Sequence, residues 1–332
     1  MKVLLTGGSG FIAAHCLDVL LARNHTVVTT VRSAEKGEKI LATHLNLPEG
    51  QLSYVIVEDI AQEGAFDHAV KSDPPFDSVI HTASPFHFRF KNPNELLDPA
   101  ITGTTGILKA IKKYAPSVKR VVITSSFAAI TQMDTDPDVY DESQWNPVTY
   151  EEGVADPAKT YRASKTLAER AAWSFLEEEK PGFSLATLCP PYVFGPVVHN
   201  LNSLSAINTS DSYFVSLMQG GWKEGLPPTG AWLWVDVRDV ALAHVKAMEV
   251  PEADGKRFFI TAGHFDMKDI AEIAKKNFPE YADKLPADLK SDRPNPLYGY
   301  DNSRSKTVLQ LEYRPLETTV VDTIKSLKRV GV

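Results

Sequence analysis

Cysteine is nearly absent. The 332-residue chain carries two, Cys16 and Cys189, too few for a disulfide framework. Each sits among apolar neighbours, which reads as a pair of buried core thiols. No run of about 18 apolar residues occurs, which excludes a membrane-spanning helix. Positive charge is in deficit as well: Lys and Arg total 35 against 42 Asp and Glu, a net charge of −7. That balance lacks the basic footprint of a general nucleic-acid binder and gives no attraction to anionic membranes. Repeats and low-complexity segments are missing. The apolar start at residues 1–5 ends in a glycine turn and is too short for a secretory h-region, so the cytosol is the expected compartment. In that compartment the sequon Asn208-Thr209-Ser210 has no use.

Hydrophobic residues make up 43% and charged residues 23%, the composition of a globular chain with room for one large domain or two modest ones. Buried-type strands are expected at residues 3–6, 26–31, 54–57, 78–81 and 121–124. Helical patterns lie between them at 11–23, 35–45 and 101–114. A long helix is expected at 161–178, then a strand at 184–188. After Pro190 the periodicity fades, and residues 200–230 read as loops and short helices. Helix and strand return at 237–248 and 258–261, with further helices near 267–278 and 316–328. Alternating strand and helix implies a doubly wound parallel sheet with ligands at the carboxyl ends of its strands. The expected fold is therefore α/β, a Rossmann-type sheet with a smaller, mostly C-terminal substrate lobe. Residues 1–190 and 235–262 are assigned to the nucleotide domain, and 191–234 and 263–332 to the lobe.

Thr6-Gly7-Gly8-Ser9-Gly10-Phe11-Ile12-Ala13 joins the first strand to the first helix. Gly7 permits the tight turn, Gly10 lets backbone approach a pyrophosphate, and Ala13 allows close helix packing. The helix N-terminus adds free N–H groups and a positive dipole end. A glycine pattern alone is weak, but a strand before it and a helix after it are its confirming context. The second strand ends Thr30-Val31-Arg32-Ser33, with no acid for ribose hydroxyls until Glu35. Arg32, helped by Lys36, suits a 2′-phosphate, which favours NADP(H). Asp59, after the third strand, reads as an adenine contact or as a turn residue.

Tyr161 and Lys165 lie four apart on a helix and so share a face. With 11 tyrosines and 35 basic residues in the chain, one such pair is expected about once by chance. Thr124-Ser125-Ser126 at the end of a buried strand gives it context. Reducing a carbonyl by hydride creates an alkoxide that needs a proton. A phenol can supply it if a nearby ammonium lowers its pKa from about 10. A hydroxyl such as Ser126 can hold the carbonyl oxygen, while nicotinamide carries the hydride.

Several stretches together carry a resemblance: residues 7–13, 81–86, 121–126, 161–165, 192–196 and 235–241. On these the chain resembles the extended short-chain dehydrogenase/reductase superfamily, and within it the dihydroflavonol-reductase-like branch with its fungal methylglyoxal and carbonyl reductases. The resemblance implies an NADPH-dependent reductase of aldehydes and ketones, including dicarbonyls, keto esters and aryl ketones. It implies a triad in which Ser126 orients the carbonyl, Tyr161 donates the proton and Lys165 holds ribose hydroxyls and tunes Tyr161. Gly7, Gly10, Phe11 and Ile12 would line the pyrophosphate, Arg32 and Lys36 the 2′-phosphate, and Asp59 with Ile60 the adenine. Thr82, Ala83 and Ser84 would follow the cofactor spine. Pro190 and Val193 would meet the nicotinamide amide, and Ser210 would close over the phosphates. Phe86, Phe127 and Tyr192 would wall the substrate pocket. A homodimer is compatible with this reading.

Other signals are set aside. Residues 134–138 mimic a calcium loop, but Val139 replaces the required glycine and Trp145 the twelfth-place Glu. His81 and His87 come without metal spacing, and His81 reads as structural. No metal is expected. Trp222, Trp232 and Trp234 read equally as a substrate wall or as packing under loops. Arg238 and Asp239 begin a helix and read as structural. Two other functions stay open, a sugar-nucleotide epimerase or dehydratase and a non-catalytic NADP(H) sensor.

Overall fold

The computed structural model describes residues 1–84, 92–132, 135–198 and 207–332. Phe86, His87 and Asp134 therefore lie outside the described residues. In chain order the elements are β1 (Lys2–Thr6), α1 (Phe11–Ala22), β2 (Thr26–Val31), α2 (Ala34–Ala42), β3 (Leu52–Ile56), β4 (Ser78–His81), α3 (Asn94–Tyr114) and β5 (Arg120–Thr124). Then come β6 (Val139–Tyr140), α4 (Tyr150–Ala155), α5 (Pro157–Glu179), β7 (Ser184–Cys189), β8 (Tyr192–Phe194), α6 (Ser212–Met218), β9 (Leu233–Asp236) and α7 (Val237–Glu249). The last are β10 (Lys256–Phe259), β11 (Gly263–His264), α8 (Met267–Asn277), β12 (Gly299–Tyr300), α9 (Ser303–Val308) and α10 (Leu316–Arg329).

Seven strands form the Rossmann-like central sheet, in the order β10-β7-β5-β4-β1-β2-β3. Every pairing in it is parallel. The strands are apolar on both faces because helices cover both. Successive side chains point to opposite faces, so one run feeds two cores. Val3, Leu5, Ile80 and Val122 join the cluster under α1 and α7. Leu4, Val79, Val121 and Ile123 join the cluster under α3 and α5. The strand order reverses between β1 and β4, and the crevice outside their carboxyl ends is where a doubly wound sheet binds its ligand.

Fading periodicity after Pro190 predicts loops, yet the structure forms a second sheet, β11-β9-β8. Strands this short cannot display an alternating pattern. They are specified by non-local pairing: Trp234 pairs with Tyr192 on one side and with Gly263 on the other. Two helices begin earlier than the sequence predicts. α3 starts at Asn94 and carries Pro99 inside it. α5 starts with Pro157 in its first turn, capped by Asp156, whose side chain accepts from the Ala158 N–H. Proline suits that position because its missing N–H is not needed there. Trp222 and Trp234 are buried with α6, α8 and α10 in a third core. Trp232 is half-buried and donates its indole N–H to Asp292 at 3.2 Å. Arg238 and Asp239 open α7, Arg238 pairing with Asp236 and Asp322 and Asp239 with Arg314.

A fourth cluster lies immediately behind β5. Phe127 is 5% exposed, stacks on Phe259 with ring centroids 5.2 Å apart and meets the edge of Tyr140 at 5.1 Å. Phe127→Ala removes the middle ring of this cluster. The expected loss is about 3–5 kcal/mol of unfolding free energy, measured by urea denaturation. A loss below about 1 kcal/mol would show that the cluster collapses to fill the space.

Candidate active site

Backbone geometry builds the first part of the site. Gly7 has φ of +76°, a region open to glycine without strain. A Cβ there would lie 3.1 Å from the Ala83 Cα, and one at Gly8 would lie 2.0 Å from Thr29 Oγ1. The Gly7 N–H donates to Thr30 Oγ1 at 3.0 Å, and the Gly10 N–H to the Gly7 carbonyl at 2.8 Å. Beyond Gly10, α1 begins with no side-chain cap and no acid in its first turn. Its N-terminus, at Phe11 and Ile12, thus keeps its positive dipole end uncompensated by any side chain of its own, the condition for holding an anion.

The end of β4 is laced to this loop. Thr82 Oγ1 donates to the Thr6 carbonyl at 2.6 Å and the Ala83 N–H donates to Thr6 Oγ1 at 3.1 Å. His81 Nδ1 meets the same Thr6 hydroxyl at 2.9 Å. Ser84 therefore emerges beside the glycine loop.

At the end of β2, Arg32 is exposed and forms no ion pair among the described residues. Lys36, on α2, has its pKa lowered by burial and by the Arg32 charge, which places the two cations together. The nearby acid Glu35 is engaged by Lys39 at 2.6 Å. An unpaired Arg beside a second cation fits the 2′-phosphate expected from the sequence. Asp59 uses Oδ1 to accept from the Ala61 N–H at 2.9 Å, the turn role, while Ile60 lies against α3 at Gly103.

The second part of the site is made by side chains on β5 and α5. Ser126 follows β5 and caps a short turn, its Oγ accepting from the Ala128 N–H at 3.1 Å. Its hydroxyl is hydrogen-bonded to Tyr161. One turn further along α5, Lys165 Nζ donates to Ser84 Oγ and to the Thr124 carbonyl, each at 3.4 Å. The structure thus brings Ser126, Tyr161, Lys165 and Ser84 together at the sheet edge. Electrostatically it departs from expectation at Tyr161. Burial pushes the phenol's pKa up, and the opposing pull comes from Ser126. Lys165 is itself lowered to about 8 by burial, against the attraction of Glu169 and Cys189.

Around these residues, Pro190 offers its carbonyl to the Phe127 N–H at 2.9 Å, and Val193 is buried in β8. Ser210 is half-buried next to Asp211 at the start of α6. Tyr192 is half-buried, lies parallel to Phe194 with centroids 5.8 Å apart, and shares a hydrogen bond with Tyr213. Phe127 is turned into the aromatic core behind Ser126, so it backs the site rather than walling an open pocket. Three-residue groupings of His, Cys, Asp or Glu suited to a metal are absent among the described residues.

Sequence reasoning missed three contributors. Glu169 lies one turn beyond Lys165, fully buried, and pairs with Arg257 of β10 at 2.8 Å. Its i+4 spacing from Lys165 was the available signal. His244, on α7, donates through Nδ1 to the Val240 carbonyl at 2.7 Å. Its Nε2 therefore accepts from Thr124 Oγ1, at 2.6 Å.

Two of the site's supporting histidines give a pH dependence. Burial lowers His81 to about 3, helped by Lys165, and burial lowers His244 to about 4. In the unfolded chain both bind protons below pH about 6.5. The unfolded state therefore takes up protons first on acidification, and the stabilisation present above pH 6.5 is lost as pH falls toward 4. Urea denaturation between pH 7.5 and 4.5 is expected to show this decline, with a shallower slope in His244→Gln. Equal slopes would refute the His244 contribution.

Comparisons with known proteins bear on this geometry. A model of the NAD dependent epimerase/dehydratase family matches residues 3–261. A ketoreductase of Aspergillus niger, AzaE, is 50% identical over 329 residues, covering 98% of this chain and 97% of that protein. The crystal structure of Gre2 from Candida albicans in complex with NADPH superposes with a TM-score of 0.93 at 35% identity, covering 100% of both chains. That of the yeast methylglyoxal/isovaleraldehyde reductase Gre2 with NADPH gives 0.90 at 36% identity, covering 100% of this chain and 99% of that one.

Proposed function

The chain belongs to the NAD dependent epimerase/dehydratase family, and we propose that within it this protein is an NADPH-dependent carbonyl reductase. Its substrates are aldehydes and ketones, among them dicarbonyls, keto esters and aryl ketones, which it converts to alcohols. The observation that carries this reading is the Ser126–Tyr161 hydrogen bond with Lys165 one turn away. It stands beside a glycine loop flanked by Arg32, which forms no ion pair among the described residues. The similarity to the A. niger ketoreductase and to the NADPH complexes of Gre2 supports it.

Bound NADPH supplies a hydride to the carbonyl carbon. Gly7, Gly10, Phe11 and Ile12 would hold its pyrophosphate, Arg32 and Lys36 its 2′-phosphate, and Asp59 with Ile60 its adenine. Thr82, Ala83 and Ser84 would lie along its path, with Pro190 and Val193 meeting the nicotinamide and Ser210 the phosphates. The Ser126 hydroxyl donates to the carbonyl oxygen and fixes its position. Tyr161 releases its proton to that oxygen as negative charge develops there. Burial keeps the phenol protonated until then, which is the state a reductase needs in its donor. The Lys165 ammonium stabilises the phenolate left behind and would hold the ribose hydroxyls of the bound cofactor.

We assign residues 1–190 and 235–262 to cofactor binding and 191–234 and 263–332 to a substrate lobe. The β11-β9-β8 sheet and its aromatic core support that division. Tyr192 is the wall residue proposed from that lobe, with Phe127 behind Ser126; Phe86, also expected in the wall, lies outside the described residues. No described helix is long and apolar enough to cross a membrane. The cytosol is the proposed compartment, consistent with two free buried thiols.

Two experiments test this. NADPH consumption with methylglyoxal, a branched aldehyde, an aryl ketone and a β-keto ester is expected to proceed, and Tyr161→Phe is expected to lower kcat by about 10²–10⁴. Cofactor binding should survive that change. Full activity in the variant would remove Tyr161 as the donor. Arg32→Ser should raise KM for NADPH by about 10–100-fold, the worth of a charge-assisted hydrogen bond, and leave KM for NADH nearly unchanged. Equal effects on both cofactors would sink the 2′-phosphate assignment.

A further inference from the structure

The interior below the catalytic turn of α5 holds two full charges that the reaction does not itself use. Glu169 is 2% exposed and Arg257 is 8% exposed. Arg257 donates to the Glu169 carboxylate through Nε at 2.8 Å and Nη2 at 3.2 Å. Ser125 and Thr187 add hydroxyl donors to the same carboxylate, each at 2.6 Å, and the Trp173 indole a third at 3.3 Å. Arg257 in turn donates to the Glu142 and Gln144 carbonyls at 2.8 and 2.7 Å. Its guanidinium lies 3.6 Å from the centre of the Trp145 ring. Burying such a pair costs several kcal/mol per ion, and an apolar pair of equal volume is often no less stable. A carboxylate so thoroughly saturated therefore calls for a use beyond stability.

Its position supplies one. Glu169 stands one helical turn from Lys165, and Ser125, which it holds, adjoins Ser126. We infer that Glu169, clamped by Arg257, is a positioning residue. Its carboxylate keeps the buried Lys165 charged and held at Ser84 and Thr124, and its bond to Ser125 fixes the turn that presents Ser126. The groups electrostatically coupled to Lys165 come from three elements: Glu169 on α5, Cys189 on β7 and His81 on β4. His81 is neutral at working pH because burial lowers it to about 3. Burial keeps the Cys189 thiol protonated. Glu169, which Arg257 and its hydroxyl donors keep ionised against burial, is thus the one anion among them. Burial alone would discharge Lys165, and the carboxylate opposes it.

The inference rests on the reductase reading, and the test separates the two. The pH profile of kcat is measured for the unaltered protein and for Glu169→Gln, with thermal unfolding in parallel. Glutamine keeps the shape and removes the charge. The expected result is a high-pH limb displaced downward by about one pH unit or more, with the KM for the carbonyl little changed. Glu169→Asp should restore part of the displacement. Because Gln leaves Arg257 buried and unpaired, the double variant Glu169→Gln with Arg257→Met serves where the single one does not fold. A lower melting temperature with an unmoved limb would assign Glu169 to the scaffold alone and overturn the inference. Absence of turnover in the unaltered protein would instead refute the reductase reading.

Discussion

A buried charge has to be compensated where it stands, and the structure around the catalytic turn follows from that constraint. Glu169 sits among β5, β7, β10 and α5, buried from solvent. Its oxygens are met by a guanidinium from β10, a hydroxyl from β7 and another from the end of β5. Each bond names an element and fixes its depth in the sheet. The guanidinium that neutralises it reaches on to carbonyls 142 and 144, so the connection between β6 and α4 is held by the same charge. Hydrophobic burial holds these elements together without direction. The ion pair gives them register where the hydroxyls of Ser126 and Tyr161 must meet.

The two ends of the site use different physics. The glycine loop works through main chain: a left-handed residue, an uncapped helix end and two threonines that tie β1 to β4. Its tolerance for side chains is low because neighbouring atoms lie within van der Waals reach of any added Cβ. The catalytic end works through side chains on a long helix and a strand terminus. There the environment, rather than the spacing, sets the chemistry. The Tyr–Lys spacing suggests a phenol made more acidic by its neighbour. Desolvation of that phenol is the larger influence, and it runs the other way.

Legibility in the sequence followed the range of the interactions. The central sheet was readable because β-branched runs such as residues 26–31 and 120–124 must be buried on both faces. Gly7, Gly10, Arg32, Tyr161 and Lys165 could be proposed because the argument for them lies in local spacing, and α5 carries Tyr161 and Lys165 one turn apart. What escaped was specified across long separations. β8 and β9 are short, and only their pairing with each other identifies them. Phe127 was expected in the pocket wall from the family resemblance alone. Its stacking on Phe259, far along the chain, turns it inward. Arg257 gave no local sign at all, because its partner is 88 residues earlier.

That separation has a consequence for how the molecule is made. β10 closes the edge of the sheet, yet it is synthesised only after β8, α6, β9 and α7. At roughly 5–20 residues per second, the helix bearing Tyr161 and Lys165 leaves the ribosome several seconds ahead of the guanidinium that neutralises its interior acid. During that interval Glu169 has no counter-charge, and a chain ending short of residue 257 never acquires one. The nascent glycine loop and its flanking strands carry no such debt. The catalytic end therefore reaches electrical balance only when the last strand of the sheet arrives, and the core beneath the glycine loop likewise takes residues from α7 and β10.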